Sequence, residues 1–492
     1  MHNSRHERTA KLIAQSARAT RVSIGMTSKQ RWILILAALA AFMTALDTLV
    51  VTTALSTIRR DLHASVSQLE WTVNAYNLSF AVLLMTAAAL GDRFGRRRLF
   101  AAGIGLFVLA SAACGLAPSV GALIAARAVQ GAGAALVTTL ALALVGAAFS
   151  PERRGSALGI FFAVNGLAVA GGPLVGGAVT QGIAWQWIFW LNVPIGLALI
   201  PLVLSRIPES RGPNAALDLP GLGLVTGGVL GVVWTLVRGN TAGWASGEVL
   251  GALIGGLGLL GAFVRWELRI RAPMLPMRFF GSRAFSAGNA AIFCAVGSLF
   301  CAVFFMSQFL QAGLGYGPLD AGLRLLPWTA TLFFVAPVAG KLVDRFGERP
   351  FLVIGPLLQA AGMAWIALIA NPGVDYAQMI APLMVAGVGI SMSFPAAQNS
   401  VVNSVPPEAI GKAAGTNSTM RELGGVLGIA LGVAAFSTAG GYASPAQFSD
   451  GFVAAMGVAA GLSLLAALSA TALPTRPALG VLTPPAAAER GR

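Results

Sequence analysis

The chain has 492 residues, of which 56% are hydrophobic and only 10% charged, with 60 glycines and 25 prolines. Soluble domains are about 25% charged, so this composition excludes a water-soluble enzyme. The net charge of +15 would suggest nucleic acid in a soluble protein; in this chain the placement of the charges matters more than their sum.

Crossing a bilayer takes about 20 apolar residues. In chain order, such runs cover 32–54, 71–90, 99–117, 121–146, 156–181, 188–205, 218–237, 248–266, 285–311, 319–340, 350–370, 377–402, 412–439 and 450–471. The predicted fold is therefore an all-α polytopic membrane protein with 14 transmembrane helices. The first run is too long for a cleavable signal peptide and carries Asp47. Ahead of it lies a basic arm over 1–31, and after the last run a Pro/Ala-rich tail over 472–492 reads as disordered. Cys114, Cys294 and Cys301 fall in apolar runs at spacings that match no metal motif, and His2, His6 and His63 all lie outside them. No metal or cofactor site is expected.

With the N-terminus placed in the cytoplasm and sides alternating, 27 of the 33 basic residues fall inside and only Arg59, Arg60 and Arg238 outside. Arg127, Arg324 and Arg421 lie within the apolar runs. This distribution obeys the positive-inside rule and places both termini in the cytoplasm.

An internal repeat divides the chain. The sequence LGDRFGRRR over 90–98 follows the second run, and LVDRFGER over 342–349 follows the tenth, so Asp-Arg-Phe-Gly recurs 252 positions on. Two six-helix bundles follow, over 32–205 and 285–471, with an inserted helix pair over 218–266. Repeat-related halves with a site between them are transporter architecture. In these loops Asp92, Arg93, Gly95 and Arg96, with Asp344 and Arg345, form a candidate conformational switch. A carboxylate at a helix end can pair with Arg and with a helix N-terminus in one state and release them in another. The competing reading is a solvated loop that only sets topology.

The 90–98 loop resembles the cytoplasmic loop signature of the major facilitator superfamily. RAVQGAGAA over 127–135 resembles its helix-4 signature, and GGPLVGG over 171–177 the helix-5 signature of its antiporters. LDTLVVTTAL over 46–55 and WQWIFWLNVPIG over 185–196 resemble signatures of its fourteen-helix drug:proton antiporter family. The resemblance covers about residues 30–470. Ala88 and Ala168 stand where Gly is usual, and Thr52 or Thr53 where the helix-1 pattern has Asn.

The resemblance implies a proton-coupled efflux antiporter of a bacterial cytoplasmic membrane. Its partners would be a hydrophobic or cationic drug or antibiotic, protons and the lipid bilayer, with no nucleic acid and a monomeric state. Asp47 is then a proton site. A charge at that depth is costly and usually functional; the competing reading is a buried Asp bonded to Thr44 or Thr48. Counting along the helices puts Asp47 about 8 Å and Arg127 about 9 Å below the outer edge, so the two can interact. The resemblance gives Arg127 the role of tuning a nearby acid; the competing reading is snorkelling. Glu422 is a second candidate proton site, near mid-membrane beside Arg421, although adjacent helix positions face different ways and need not pair. Arg324 is expected to snorkel at the outer end of its helix. Gly172, Pro173, Gly176 and Gly177 would bend a helix and admit a close neighbour. Tyr76, Asn77, Asn165, Gln308 and Arg421 are candidates for a substrate cavity. The alternatives are a narrow-range exporter of a metabolite or self-made antibiotic, and a membrane enzyme. Walker A, His-Glu-x-x-His and Gly-x-Ser-x-Gly motifs are all missing from the sequence.

Overall fold

A computed structural model of the protein describes residues 26–149, 151–211, 218–271, 273, 275–405 and 410–474. Long helices follow one another in chain order: α1 (Ser28–Asp61), α2 (Val66–Phe94), α3 (Arg96–Gly115), α4 (Val120–Ala148), α5 (Pro151–Gly182), α6 (Asn192–Arg206), α7 (Leu219–Ala242), α8 (Gly247–Glu267), α9 (Arg283–Gln308), α10 (Pro318–Phe346), α11 (Glu348–Ile369), α12 (Tyr376–Val402), α13 (Ile410–Ala439) and α14 (Pro445–Thr471). No strand occurs among the described residues. Twelve helices are long and apolar enough to cross a membrane, or 13 if the bent helix α2 counts as one span. The sequence predicts fourteen; the remaining one is α5, which runs over side chains outside the described set.

Polar caps move several boundaries away from the apolar runs. Thr27 and Gln30 form a capping box that starts α1 ahead of its run, and α1 continues to Asp61. Ser65 and Gln68 do the same for α2. Each box satisfies two orphan N–H groups at the helix start. Glu70 is thereby drawn into α2, although it precedes the predicted run. The sixth run is divided into a short turn, Trp187–Trp190, and α6.

The repeat is visible in the backbone. Gly95 joins α2 to α3 with φ +109°, and Gly347 joins α10 to α11 with φ +83°. Only glycine takes such a conformation without a Cβ penalty. In both loops the arginine stacks on the next phenylalanine, Arg93 on Phe94 at 5.4 Å and Arg345 on Phe346 at 5.3 Å. We call this end of the molecule the basic end. The α1–α2 and α9–α10 connections lie at the opposite end.

Glycines set the close crossings. A Cβ at Gly172 would meet Leu49 Cβ at 2.7 Å, and one at Gly176 the Val50 carbonyl oxygen at 2.6 Å, so this face of α5 lies directly on α1. A Cβ at Gly177 would reach Leu319 Cα at 2.7 Å, and Gly322 of α10 fits against the Pro173 carbonyl. Helix α5 is thus wedged between α1 and α10. Gly231 and Gly256 let α7 and α8 cross equally closely. Helix α7 also leans on both α2 and α13, with Trp71 and Trp234 rings 6.4 Å apart.

Several contacts between α1–α6 and α9–α14 lie at the opposite end. Gln311 donates to the Thr53 carbonyl at 3.0 Å, and the Leu319 N–H to Gln181 Oε1 at 3.0 Å. Arg59 lies 3.9 Å from the centre of the Tyr442 ring, and Tyr442 donates its hydroxyl to Gln308. Toward the basic end α10 carries exposed apolar side chains, Phe334 at 69% and Phe346 at 58%.

Candidate functional site

Asp47 is the centre of a polar network enclosed in apolar helices. It is 2% exposed and Arg127 1%. Arg127 Nη1 donates to Asp47 Oδ2 in a buried ion pair. The other carboxylate oxygen, Oδ1, accepts from Gln130 Nε2 at 2.9 Å and from Asn192 Nδ2 at 2.8 Å. Ser111 Oγ accepts from the same two amides at 2.7 and 3.3 Å. Arg127 is in turn fixed by Gln130 Oε1 at 2.7 Å and by the Thr72 carbonyl, which accepts from Nε at 3.1 Å. Its guanidinium lies 4.2 Å from the Tyr76 ring centre and 5.8 Å from that of Phe189.

Helices α1, α2, α3, α4 and α6 therefore each supply part of one site. Burying two charges is costly unless geometry and extra hydrogen bonds compensate, and here both carboxylate oxygens and two guanidinium nitrogens are bonded. The site is a buried carboxylate whose partners change sharply in energy if it gains a proton. It can couple protonation to the arrangement of α1 and α4, and to α2 through Thr72 and Tyr76. The equal depths counted along the sequence are matched by direct contact. Thr44 and Thr48 do not bond Asp47; their hydroxyls return to backbone carbonyls of α1, at Ala41 and Thr44.

Gln130, Asn192 and Ser111 have no place among the sequence candidates. Asn192 lies within the 185–196 signature, but it is 145 residues from Asp47 and nothing local ties it to that carboxylate. Gln130 follows Arg127 at i+3, the spacing that shares a helix face, and that was a usable signal.

In the Gly95 loop, Arg96 Nε donates to Asp92 Oδ1 at 2.8 Å. Glu209, just beyond α6, completes the cluster unforeseen. Its Oε1 accepts the Arg97 backbone N–H at 2.9 Å, and its Oε2 lies 3.6 Å from Arg97 and 3.7 Å from Arg98. A Cβ on Gly95 would come within 2.9 Å of this carboxylate. The Asp344 side chain lies outside the described residues.

The remaining candidates are dispersed. Glu422 is buried on α13 and accepts from Arg421 at 3.1 and 3.2 Å. The neighbours do pair, because the long Arg side chain folds back across the helix. Arg324, near the start of α10, does more than snorkel: it bonds Asp320 at 3.2 Å and lies 3.7 Å from the Tyr316 ring centre. Asn165 Nδ2 bonds the Phe161 carbonyl at 2.8 Å. Gln308 is fully buried, held by Tyr442 and by the Phe304 carbonyl at 2.8 Å, and so stands away from any open cavity. No group of three His, Cys, Asp or Glu residues placed to hold a metal occurs among the described residues.

Comparison with known proteins decides the family. The Major Facilitator Superfamily profile matches residues 37–429 and 288–490. The chain belongs to the major facilitator superfamily. Among its relatives of this superfamily, the cephamycin export protein CmcT of Amycolatopsis lactamdurans is 35% identical over 468 residues, covering 93% of this chain and 95% of its own. The tetracenomycin C resistance and export protein of Streptomyces glaucescens is 34% identical over 411 residues, covering 83% and 76%. A peptide transporter solved in complex with sulfate shares the superfamily fold, with a TM-score of 0.63, 16% identity and coverage of 92% and 95%. As a superfamily member the protein is a transporter and not an enzyme, and a multi-pass protein of the bacterial inner membrane.

Proposed function

We propose that the protein is a proton-coupled antiporter that exports hydrophobic or cationic drugs or antibiotics through fourteen membrane spans, as a monomer, with both termini and the basic end in the cytoplasm. The observation that carries this reading is the buried Asp47–Arg127 pair with its Gln130 and Asn192 clamps. Relatives named for antibiotic export and resistance support the direction of transport.

A proton on Asp47 removes the charge that Arg127 faces. The guanidinium then relies on Gln130, Thr72 and the Tyr76 ring, and α1 is held less tightly against α4. The Glu422–Arg421 pair supplies a second carboxyl in the other half, near enough to mid-membrane to meet a cationic compound. Asn165 and Arg421, both partly exposed, remain the proposed cavity residues, while Tyr76 and Asn77 are buried and would join them only when the halves part. The Asp92–Arg96 and Arg345 loops act as cytoplasmic latches, and Gly172, Pro173, Gly176 and Gly177 keep the outer seam of α5 against α1 and α10 closed to protons. The contacts at the end opposite the basic loops correspond, in this topology, to a state closed toward the outside.

The test uses everted membrane vesicles carrying a proton gradient. Added ethidium should dissipate the gradient in vesicles with the wild-type protein and not with Asp47→Asn. Undiminished proton-coupled ethidium transport by Asp47→Asn removes the assigned role. A narrow substrate range is a second reading, favoured because several relatives are named for one compound each: tetracenomycin C, cephamycin and puromycin. A toxicity panel in a pump-deficient host separates the two, since a narrow exporter protects against one chemical class only.

A further inference from the structure

One buried carboxyl stands apart from the Asp47 network. Glu70 lies on the second turn of α2 and is 0% exposed. Its Oε1 accepts from Asn74 Nδ2 at 3.1 Å, while its Oε2 has no hydrogen-bond partner among the described residues. Asn74 Oδ1 and both polar atoms of the Asn77 amide are likewise buried and unpartnered. Positions 70, 74 and 77 share one helix face. Buried polar groups are almost always bonded, so a run of such atoms along one face needs a physical reason.

That face looks toward the seam between the halves. Thr419 of α13 donates to the Ala81 carbonyl at 3.5 Å, and Ala81 lies on the same face. Leu78 and Val82 share an apolar cluster with Leu423 and Val426. The two helices run in opposite directions, so counting from the Thr419 contact sets Asn77 level with Leu423, Asn74 with Val426 and Glu70 with Ala430. Glu70 is then about 16 Å from that contact, toward the outer end. The facing positions of α13, Val426 and Ala430, are buried and apolar.

Most charges on the elements packed against α2 are engaged elsewhere, and none bonds Glu70 among the described residues. Arg127 of α4 binds Asp47. Arg421 of α13 binds Glu422, and Arg238 of α7 binds Glu248. On α1, Arg59 stacks on Tyr442, and Arg60 lies with His63 beside the surface hollow at the α1–α2 turn. Asp61 accepts from Trp185. Arg96, Arg97 and Arg98 of α3 are at its other end, and Cys114 meets Gln130. Tyr76, on α2 itself, faces Arg127. No ion pair to Glu70 occurs among the described residues.

We propose that Glu70 is a second proton-binding carboxyl of the transporter, set in the outer half of the α2–α13 seam and exchanging its proton with the outside when that seam opens. In the closed seam an ionised Glu70 would be an isolated charge in apolar surroundings, which proteins avoid by neutralising the group. A protonated carboxyl is neutral and turns one oxygen into a donor, which the unbonded Asn74 Oδ1, one turn away on the amide already bonded to Glu70, could accept after a small rotation. When α13 withdraws, water reaches the stripe and the charged form becomes affordable. This inference rests on the antiport reading but can be tested apart from it.

The full-length protein in lipid nanodiscs is examined by infrared spectroscopy at neutral pH, in the carbonyl stretch of protonated carboxylic acids. The expected result is that Glu70→Gln loses one band that Asp47→Asn keeps, and that Glu70→Asp restores a shifted one. A spectrum unchanged in Glu70→Gln overturns the proposal, and so does a wild-type band removed by added sodium, which would make the seam a metal-cation site. In proteoliposomes, Glu70→Gln should flatten the dependence of ethidium transport on external pH and leave the dependence on internal pH intact. An external profile identical to wild type overturns the exchange with the outside. The band reads Glu70 itself, so its outcome stands whether or not ethidium moves protons.

Discussion

Replacing Asp47 by Asn tests the central pair, because Asn has the shape of the protonated acid without its charge. In the native site the Asp47 carboxylate accepts from Arg127, Gln130 and Asn192. Breaking a buried ion pair from one side costs about 3–5 kcal/mol, because the remaining charge is stranded. Here Arg127 keeps Gln130 Oε1, the Thr72 carbonyl and the Tyr76 ring. A desolvated cation–π contact is worth about 2 kcal/mol, so the loss should fall near the lower bound, about 3 kcal/mol. Arg127→Gln should cost as much or more, since it strands the anion with only two amide donors. The double variant should cost less than the sum of the single ones, by up to about 3 kcal/mol. The assay is unfolding of the detergent-solubilised protein in rising dodecyl sulfate for all four forms. Strictly additive losses would refute the claim that the two charges stabilise each other.

Three other outcomes follow from the packing. Gly177→Leu places a side chain against the α10 backbone and should force α5 and α10 apart, at a cost of about 1–3 kcal/mol. A thiol introduced by Leu319→Cys should then react faster with an external maleimide than in the parent. Gly95→Ala combines a φ of +109° with a clash against Glu209, and about 1–3 kcal/mol of backbone strain should appear as a lower melting temperature. Glu209→Gln removes a partly exposed ionic clamp worth about 0–1 kcal/mol. It should leave stability nearly unchanged while increasing proteolytic cleavage near Arg97, and equal cleavage would show that the clamp does not hold the loop.

Much of the architecture was legible because a bilayer imposes a length and a polarity on each helix. The Asp-Arg-Phe-Gly repeat was legible for a similar reason: a one-residue junction between helices needs glycine, and both copies have it. Depth counting also found Asp47 and Arg127, since rise per residue is constant along a helix. It failed for Asn192 and Glu209, which reach their partners through the lateral order of helices, a property that no linear count contains. Glu70 was missed for a different reason. Hydropathy starts a helix at its first apolar run, whereas Ser65 and Gln68 start α2 by satisfying backbone groups. Gln308 shows that polarity inside an apolar run marks a bonded interior group as readily as a cavity wall, and the sequence does not contain the position of Tyr442 that bonds it.

Every side chain that holds Asp47 comes from α1–α6. A rigid tilt of one half against the other therefore carries the ionic centre as one piece, and what disturbs its hydrogen bonds is a change in the charge of Asp47 itself. Helices α9–α14 are also free of the geometric demands of that centre. On the proposed antiport reading, their surface can diversify by mutation while the Asp47 network stays intact, so new compounds can be accommodated without rebuilding it.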